Sequence, residues 1–247
     1  MAASEGSTEG EELQIAEEGP LVLIELLTRM QKWGELEEFV RERLAKATGR
    51  LAVELRLEVA STLQRRGKKE ESLEHLRVAA STAQQLEVER AELFTRSLHA
   101  LGAAALEMED LVEAAKAYGA LSEFARELPE TEPDRAKWQV LGAVGLGQTW
   151  LAEGNAAAAA ALLHNVMESS GQGVSEEIRA KTLYLLAGAL LTAGHFRPAR
   201  RRAREALSLW EGAGDTQAEA ASKLLDSIAL QEALAGASEA TESNTEE

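Results

Sequence analysis

The sequence contains no cysteine. That excludes a disulfide scaffold, a zinc-thiolate site and a cysteine nucleophile. Proline is scarce, with four in 247 residues, and there are only four Trp, two Tyr and four Phe. Few β-branched or aromatic residues and much Ala, Leu and Glu argue against a sheet protein. No stretch approaches the roughly 20 apolar residues of a membrane span. The longest early apolar run, Leu21 to Leu27, is broken by Glu25. Met1 is followed by acidic residues rather than by a basic segment and an apolar core, so no secretory signal is expected and the expected location is the cytoplasm.

Positive charge is also in deficit. Against 42 Asp+Glu stand 26 Lys+Arg, a formal net charge of −16. Phosphate binding is driven by Lys and Arg, so nucleic acid is not an expected partner. Insertion into, or attraction to, an anionic membrane is not expected either. Residues 1–20 hold six Glu and residues 236–247 four, with no base in either stretch, so the two ends carry −10 of the −16. Both are rich in Ser, Thr, Gly and Glu and have too little apolar surface to fold alone. The expected organisation is a disordered acidic tail over 1–19, one helical domain over 20–235, and a second disordered acidic tail over 236–247.

Between the tails, apolar residues recur at helical spacing. Leu51, Leu55, Val59 and Leu63 form one stripe, and Leu73, Leu76 and Ala80 begin the next. Breaks fall at Gly34, Gly49, Gly67, Glu109-Asp110, Pro129 to Pro133, Gly154, Gly171 to Gly173, Gly194 and Gly212 to Gly214. No stretch alternates as a strand would. The helices pair, and one pair is clear: Leu186, Ala187, Leu190, Gly194, Phe196, Ala199 and Ala206. Small residues at 187, 199 and 206 let two antiparallel helices approach closely, and Gly194 can end the first in a left-handed conformation. The same register recurs at Leu146-Gly147 with Trp150 and Gly154, at Leu101-Gly102 with Ala105 and Glu109 in the glycine slot, and at Val59-Ala60 with Leu63 and Gly67. A degenerate first copy reads Leu26-Leu27, Met30 and Gly34, with Phe39 where a small residue is wanted.

This pattern resembles the tetratricopeptide repeat. The anchors at 26, 59, 101, 146 and 186 lie 33, 42, 45 and 40 residues apart, longer than the ~34-residue period of the common form and similar to its extended ~40-residue variant. The expected fold is all-α: an α-solenoid of about five antiparallel helix pairs, closed by a capping helix over Asp215 to Ala235. Asp215 or Thr216 would cap that helix, with Ala218, Leu225, Ile228 and Ala229 turned inward. The degenerate first pair is the expected open end, through which the chain could self-associate into a homo-oligomer.

No constellation of catalytic residues stands out. His75, His99, His164 and His195 fall in four different repeats, and no pair has metal-ligand spacing. Gly142, Gly145 and Gly147 read G-x-x-G-x-G, but no strand precedes them, and helix packing accounts for them better than a phosphate loop. The Glu residues are spaced as solvated helix faces, some with a base at i+4, such as Glu37 with Arg41. Neither an enzyme nor a cofactor is expected.

What remains is surface. In the tetratricopeptide family the first helix of each pair lines a concave groove, and the resemblance assigns Leu21, Ile24, Thr28, Gln31 and Lys32 to it from the first pair. The leading groove residues are Leu57 from the second pair, Arg96 and His99 from the third, Leu141, Val144, Gln148 and Leu151 from the fourth, and Lys181, Tyr184 and Leu191 from the fifth. The carboxylate clamp of chaperone-binding members is absent, because Thr28, Ser61, Ala103, Gln148 and Gly188 stand in its Asn slots. An apolar groove suits a helix or extended segment of a protein partner. Arg197, Arg200, Arg201, Arg202 and Arg204 form a secondary basic surface on the second helix of the fifth pair, suited to an acidic partner or to the protein's own tails.

Overall fold

The computed structural model describes residues 19–170 and 173–243; the side chains of 170 and 237–243 are left aside. The acidic stretches 1–18 and 244–247 therefore lie outside the described residues. Every regular element described is helical: α1 (residues 19–29), α2 (Trp33–Leu44), α3 (Gly49–Arg65), α4 (Lys69–Gln84), α5 (Arg90–Glu107), α6 (Leu111–Glu127), α7 (Arg135–Ala152), α8 (Ala156–Ser170), α9 (Glu176–Thr192), α10 (Phe196–Ala213) and α11 (Ala218–Ser243). The fold is an all-α solenoid of successive helix pairs plus a terminal helix.

The chain forms two compact units, one up to Asp110 and one from Leu111. Unit 1 holds the pairs α1/α2 and α3/α4, followed by α5. Unit 2 opens on α6, holds α7/α8 and α9/α10, and ends on α11.

One turn geometry recurs through the chain. Gln31, Gly67, Glu109, Gly154, Gly194 and Gly214 all have positive φ, between 55° and 81°. Each time, the next N–H donates to the carbonyl five residues back: Lys32 to Leu27 at 3.0 Å, Lys68 to Leu63 at 2.9 Å, Asp110 to Ala105 at 3.0 Å, Asn155 to Trp150 at 2.7 Å, His195 to Leu190 at 2.8 Å and Asp215 to Trp210 at 2.9 Å. This is the Schellman closure, which satisfies the last carbonyls of a helix and reverses the chain.

These turns correct the register of the first pair. In the later repeats the left-handed residue follows the small anchor by seven positions, as Gly67 follows Ala60 and Gly194 follows Ala187. Seven positions before Gln31 stands Ile24. The first anchor is therefore Leu23-Ile24, not Leu26-Leu27, and Gly34 sits inside α2 rather than in a turn. Leu36, not Phe39, then occupies the slot filled elsewhere by Ser72, Ala114, Ala159 and Ala199. Ser72 is small enough for its hydroxyl to donate to the Ala60 carbonyl at 2.9 Å. The first pair instead fills its crossing with Ile24 and Leu36, both fully buried, beside Leu27, Val40 and Leu55 of α3.

Gln31 and Glu109 hold a left-handed conformation that costs a residue with a Cβ about 1–2 kcal/mol. Gln31→Gly and Glu109→Gly should each raise stability by about 0.5–1 kcal/mol, the remainder being lost to the greater freedom of glycine in the unfolded chain. Urea midpoints measure this; no gain at either site would contradict the turn assignment.

Unit 2 packs in successive seams. Val140 and Val144 of α7 meet Ala159, Ala160 and Leu163 of α8 and Leu186 and Ala189 of α9. Ala187 and Leu191 of α9 meet Ala199 and Ala203 of α10 and Ile228 of α11. The side-chain-free faces of α7 admit close neighbours: a Cβ at Gly142 would meet Ser122, one at Gly145 the Tyr118 ring, and one at Gly147 Leu163. Close packing is the role of this triplet.

The last helix differs from expectation in two respects. Asp215 does prepare its start, accepting the Gln217 N–H at 2.8 Å, and Ile228 is buried, but Ala229 is exposed. The helix also runs to Ser243, so residues 236–243 are helical where an acidic tail was expected. Ala235, Ala237 and Ala240 favour helix strongly, and a lone Gly236 costs only about 1 kcal/mol.

Candidate functional site

The expected groove residues separate into those the fold exposes and those it consumes. On α7, Leu141, Gln148 and Leu151 recur at helical spacing and are partly exposed. Val144 does not join them: it is 4% exposed, inside the seam with α8 and α9. On α9, Lys181 is exposed, whereas Leu191 is buried against Ile228 of α11. Tyr184 is half-buried and rests its ring on Trp210 of α10, centroids 5.4 Å apart and planes at 54°. Helix α9 thus gives two of its three expected contacts to its own neighbours. Between them, Gly188 has open space where a Cβ would stand, which leaves a notch on the partly exposed face of α9.

Unit 1 offers its own face. Leu57 on α3 and His99 on α5 are half-buried, and Arg96 forms an exposed ion pair with Glu92 at 3.3 Å. The corrected register changes the first pair's contribution from Leu21, Ile24, Thr28, Gln31 and Lys32 to Leu21, Glu25, Thr28 and Arg29. Ile24 is core, Gln31 makes the turn, and Lys32 precedes α2 and pairs with Glu35 at 2.9 Å. The clamp's Asn slot in this pair is Glu25, already paired with Arg29 at 2.6 Å.

The arginine surface on α10 is largely neutralised. Arg200 pairs with Glu232 of α11, Arg201 reaches Glu205 at 3.9 Å, and Arg202 is held by Glu205 at 2.8 Å and Glu168 of α8 at 4.0 Å. Arg197 and Arg204 are exposed and have no ion-pair partner among the described residues. Beside the ridge a cleft of about 350 Å³ opens between α8 and α10 over α9, lined by His164, His195, Arg201 and Arg202 above alanines.

One exposed feature escaped the sequence reading. Val22, Leu26 and Met30 form an apolar stripe along α1, 64%, 50% and 53% exposed, with Leu23 beside it at 37%. The signal was there: Leu21 to Ile24 are all apolar, more than one helix face can bury. No group of His, Asp and Glu suited to a metal ion occurs among the described residues, and no described helix is long and apolar enough to cross a membrane.

No family model and no curated protein matches the chain. Among solved structures it is similar to the apo form of RapI, with a TM-score of 0.66 and 14% identity, over 80% of this chain and 55% of that one. The chain thus spans little more than half the length of that structure. The likeness shows the fold: this is a helical-repeat protein.

Proposed function

We propose that the protein is a non-enzymatic interaction module, and that unit 2 binds a peptide or helix of a protein partner along the exposed face of α7 and α9. One observation carries this reading. Leu141 and Leu151 flank Gln148 on a rigid helix, and the directly adjoining α9 contributes Lys181 and the open notch at Gly188. Apolar anchors, a polar handle and a notch on packed helices are what a preformed docking surface requires, because only the partner then loses conformational freedom. Leu57, Arg96 and His99 give unit 1 a separate contact surface. The expected setting is cytoplasmic, without cofactor.

The test uses Leu141→Glu/Gln148→Glu, whose sites are partly exposed and, unlike Leu151, do not pack on the α7–α8–α9 core. Wild type and variant are compared in capture from a lysate of the source cells, with mass spectrometry of what is retained and circular dichroism to confirm folding. A partner bound on this face should lose about tenfold or more in affinity. Equal retention by both forms would discard the face. A second reading rests on Arg197 and Arg204: a regulatory or assembly factor acting through the basic ridge, with the acidic ends of the chain as intramolecular competitors. The same capture repeated across salt separates the two, because ridge binding weakens steeply with ionic strength and apolar docking does not.

A further inference from the structure

Unit 1 contains a cleft of about 490 Å³ between α2 and α4, which both pack on α3 but not on each other. Its floor is Val59 and Leu63 of α3, and its apolar wall is Leu36, Val40 and Leu44 of α2. Leu44 and Val59 stay partly exposed there. The rim is charged. Glu37 bonds to Arg66 of α3, rather than to Arg41 at i+4, and also approaches Lys68 at 3.5 Å. Lys68 is shared with Glu71 at 3.3 Å. Arg41 is left exposed on the rim with no ion-pair partner among the described residues. Three cations and two carboxylates thus line the cleft, a local positive excess on a chain whose net charge is −16.

The segment tethered closest to this cleft is residues 1–18, which lie outside the described residues and join α1 at Gly19. The Schellman closure at Gln31 turns the chain back, so the start of α1 lies beside the end of α2. Leu21 and Leu44 accordingly pack on the same core cluster. Leu44 and Ala45, at that end of α2, line the cleft. A helix is about 10–12 Å across, and four extended residues span up to about 14 Å. The chain leaving Gly19 can therefore cross the end of α2 and bring Ile15 to the cleft.

The sequence there is Glu11-Glu12-Leu13-Gln14-Ile15-Ala16-Glu17-Glu18, an aliphatic pair between two pairs of carboxylates, and residues 1–20 hold no base. In an extended segment Leu13 and Ile15 share a face and stand about 7 Å apart, close to the ~6 Å rise from Val40 to Leu44 along α2.

We infer that residues 11–16 dock into the α2–α4 cleft of their own chain. Leu13 and Ile15 lie along Val40, Leu44 and Leu63, and the carboxylates of Glu11 and Glu12 come to the rim of Arg41, Arg66 and Lys68. The stripe of Val22, Leu26 and Met30 on α1 is apolar and also near, but the one cation of that helix, Arg29, is already paired with Glu25, so it offers the carboxylates nothing. A predominantly acidic surface repels the segment from most other places and steers it to the few basic ones. The tether supplies an effective concentration of about millimolar, so modest contacts suffice to hold it. A partner with the same chemistry, an aliphatic pair flanked by carboxylates, has to displace this segment to use the cleft.

The chain has no cysteine, so Gln14→Cys gives a single attachment point for a nitroxide, on the face of the segment turned away from Leu13 and Ile15. In the ¹⁵N-labelled full chain, the amides of Arg41 to Ala45 and of Glu71 to Leu76 should broaden relative to the same chain with its label reduced. Adding Leu13→Ser/Ile15→Ser should remove the broadening on α4 and lower the docked-to-free ratio about tenfold or more. Arg41→Gln should lower that ratio about two- to fivefold, and so should added salt. Arg41 is exposed and residues 13 and 15 precede α1, so loss of the fold does not explain these effects. Broadening confined to α1, along Val22, Leu26 and Met30, would overturn the assignment, as would broadening on α4 that survives the serine pair. Nitroxide-labelled ¹⁴N chain mixed with unlabelled ¹⁵N chain tests for a second copy. Broadening on α4 in that mixture as strong as in the single-chain sample would overturn docking within one chain in favour of exchange between two.

Discussion

Gly145→Ala should destabilise unit 2 by about 1–2 kcal/mol net, although adding one methyl group to a helical glycine ordinarily stabilises a helix. The ordinary effect is a gain of about 1 kcal/mol in helix propensity. Here the added Cβ would stand 2.2 Å from the ring of Tyr118, which is 3% exposed and has no room to withdraw. Helices α6 and α7 would have to separate, and overpacking of this kind costs about 1–3 kcal/mol and at times more. Gly119→Ala is the control. Gly119 lies within α6, is partly exposed and has nothing within 4 Å of its would-be Cβ, so the same exchange should stabilise by about 0.5–1 kcal/mol. Urea denaturation of the two variants reads opposite signs if the packing is as described. Two gains would mean that Tyr118 does not lie against α7.

Val144→Glu should cost more still, about 3–5 kcal/mol, a large fraction of the stability of an ordinary domain. The side chain lies in the α7–α8–α9 seam among Val140, Leu163 and Leu186, where a carboxylate finds neither water nor a base. Its folded-state pKa would be raised, so the penalty is full at neutral pH and shrinks as pH falls toward the ordinary carboxylate value of about 4.3. Leu141→Glu, three residues away and partly exposed, should cost under about 1 kcal/mol. Thermal melts at pH 7 and pH 4.5 check both statements. A Val144→Glu variant that melts like wild type at pH 7 would show that Val144 faces solvent, as its place in the repeat first suggests.

The contrast between Leu141 and Val144 shows where sequence reasoning succeeds and where it stops. The hairpin pattern is local: a small anchor, a large residue three later and a left-handed turn seven later can be read from Val59-Ala60 onward. In the first pair the cue misled, because Gly34 is the nearby glycine while Gln31 makes the turn. A Schellman closure imposes positive φ on whichever residue stands there, and its hydrogen bonds can hold a glutamine. Burial within the repeat is not local. Val144 is consumed by the packing of α9 on α7, and Leu191 by Ile228 of α11, 37 positions further on. No periodicity within α7 or α9 records these neighbours. The Glu37 pairing has the same character: the i+4 rule names Arg41, and the structure supplies Arg66, 29 residues away.

The three glycines of α7 also bear on what keeps it helical. Three glycines within six residues remove about 3 kcal/mol of intrinsic helix preference, so the segment from Arg135 to Ala152 would be mostly coil on its own. Its helicity is supplied by contact, once Tyr118 and Ser122 of α6 and Leu163 of α8 close on the backbone. Helices α9 and α10 hold one glycine each, Gly188 and Gly212, so α7 depends on its neighbours for helicity more than they do. The helix that carries Leu141 and Leu151 therefore takes its order from α6 and α8, and the face proposed for docking exists only where those neighbours are in place.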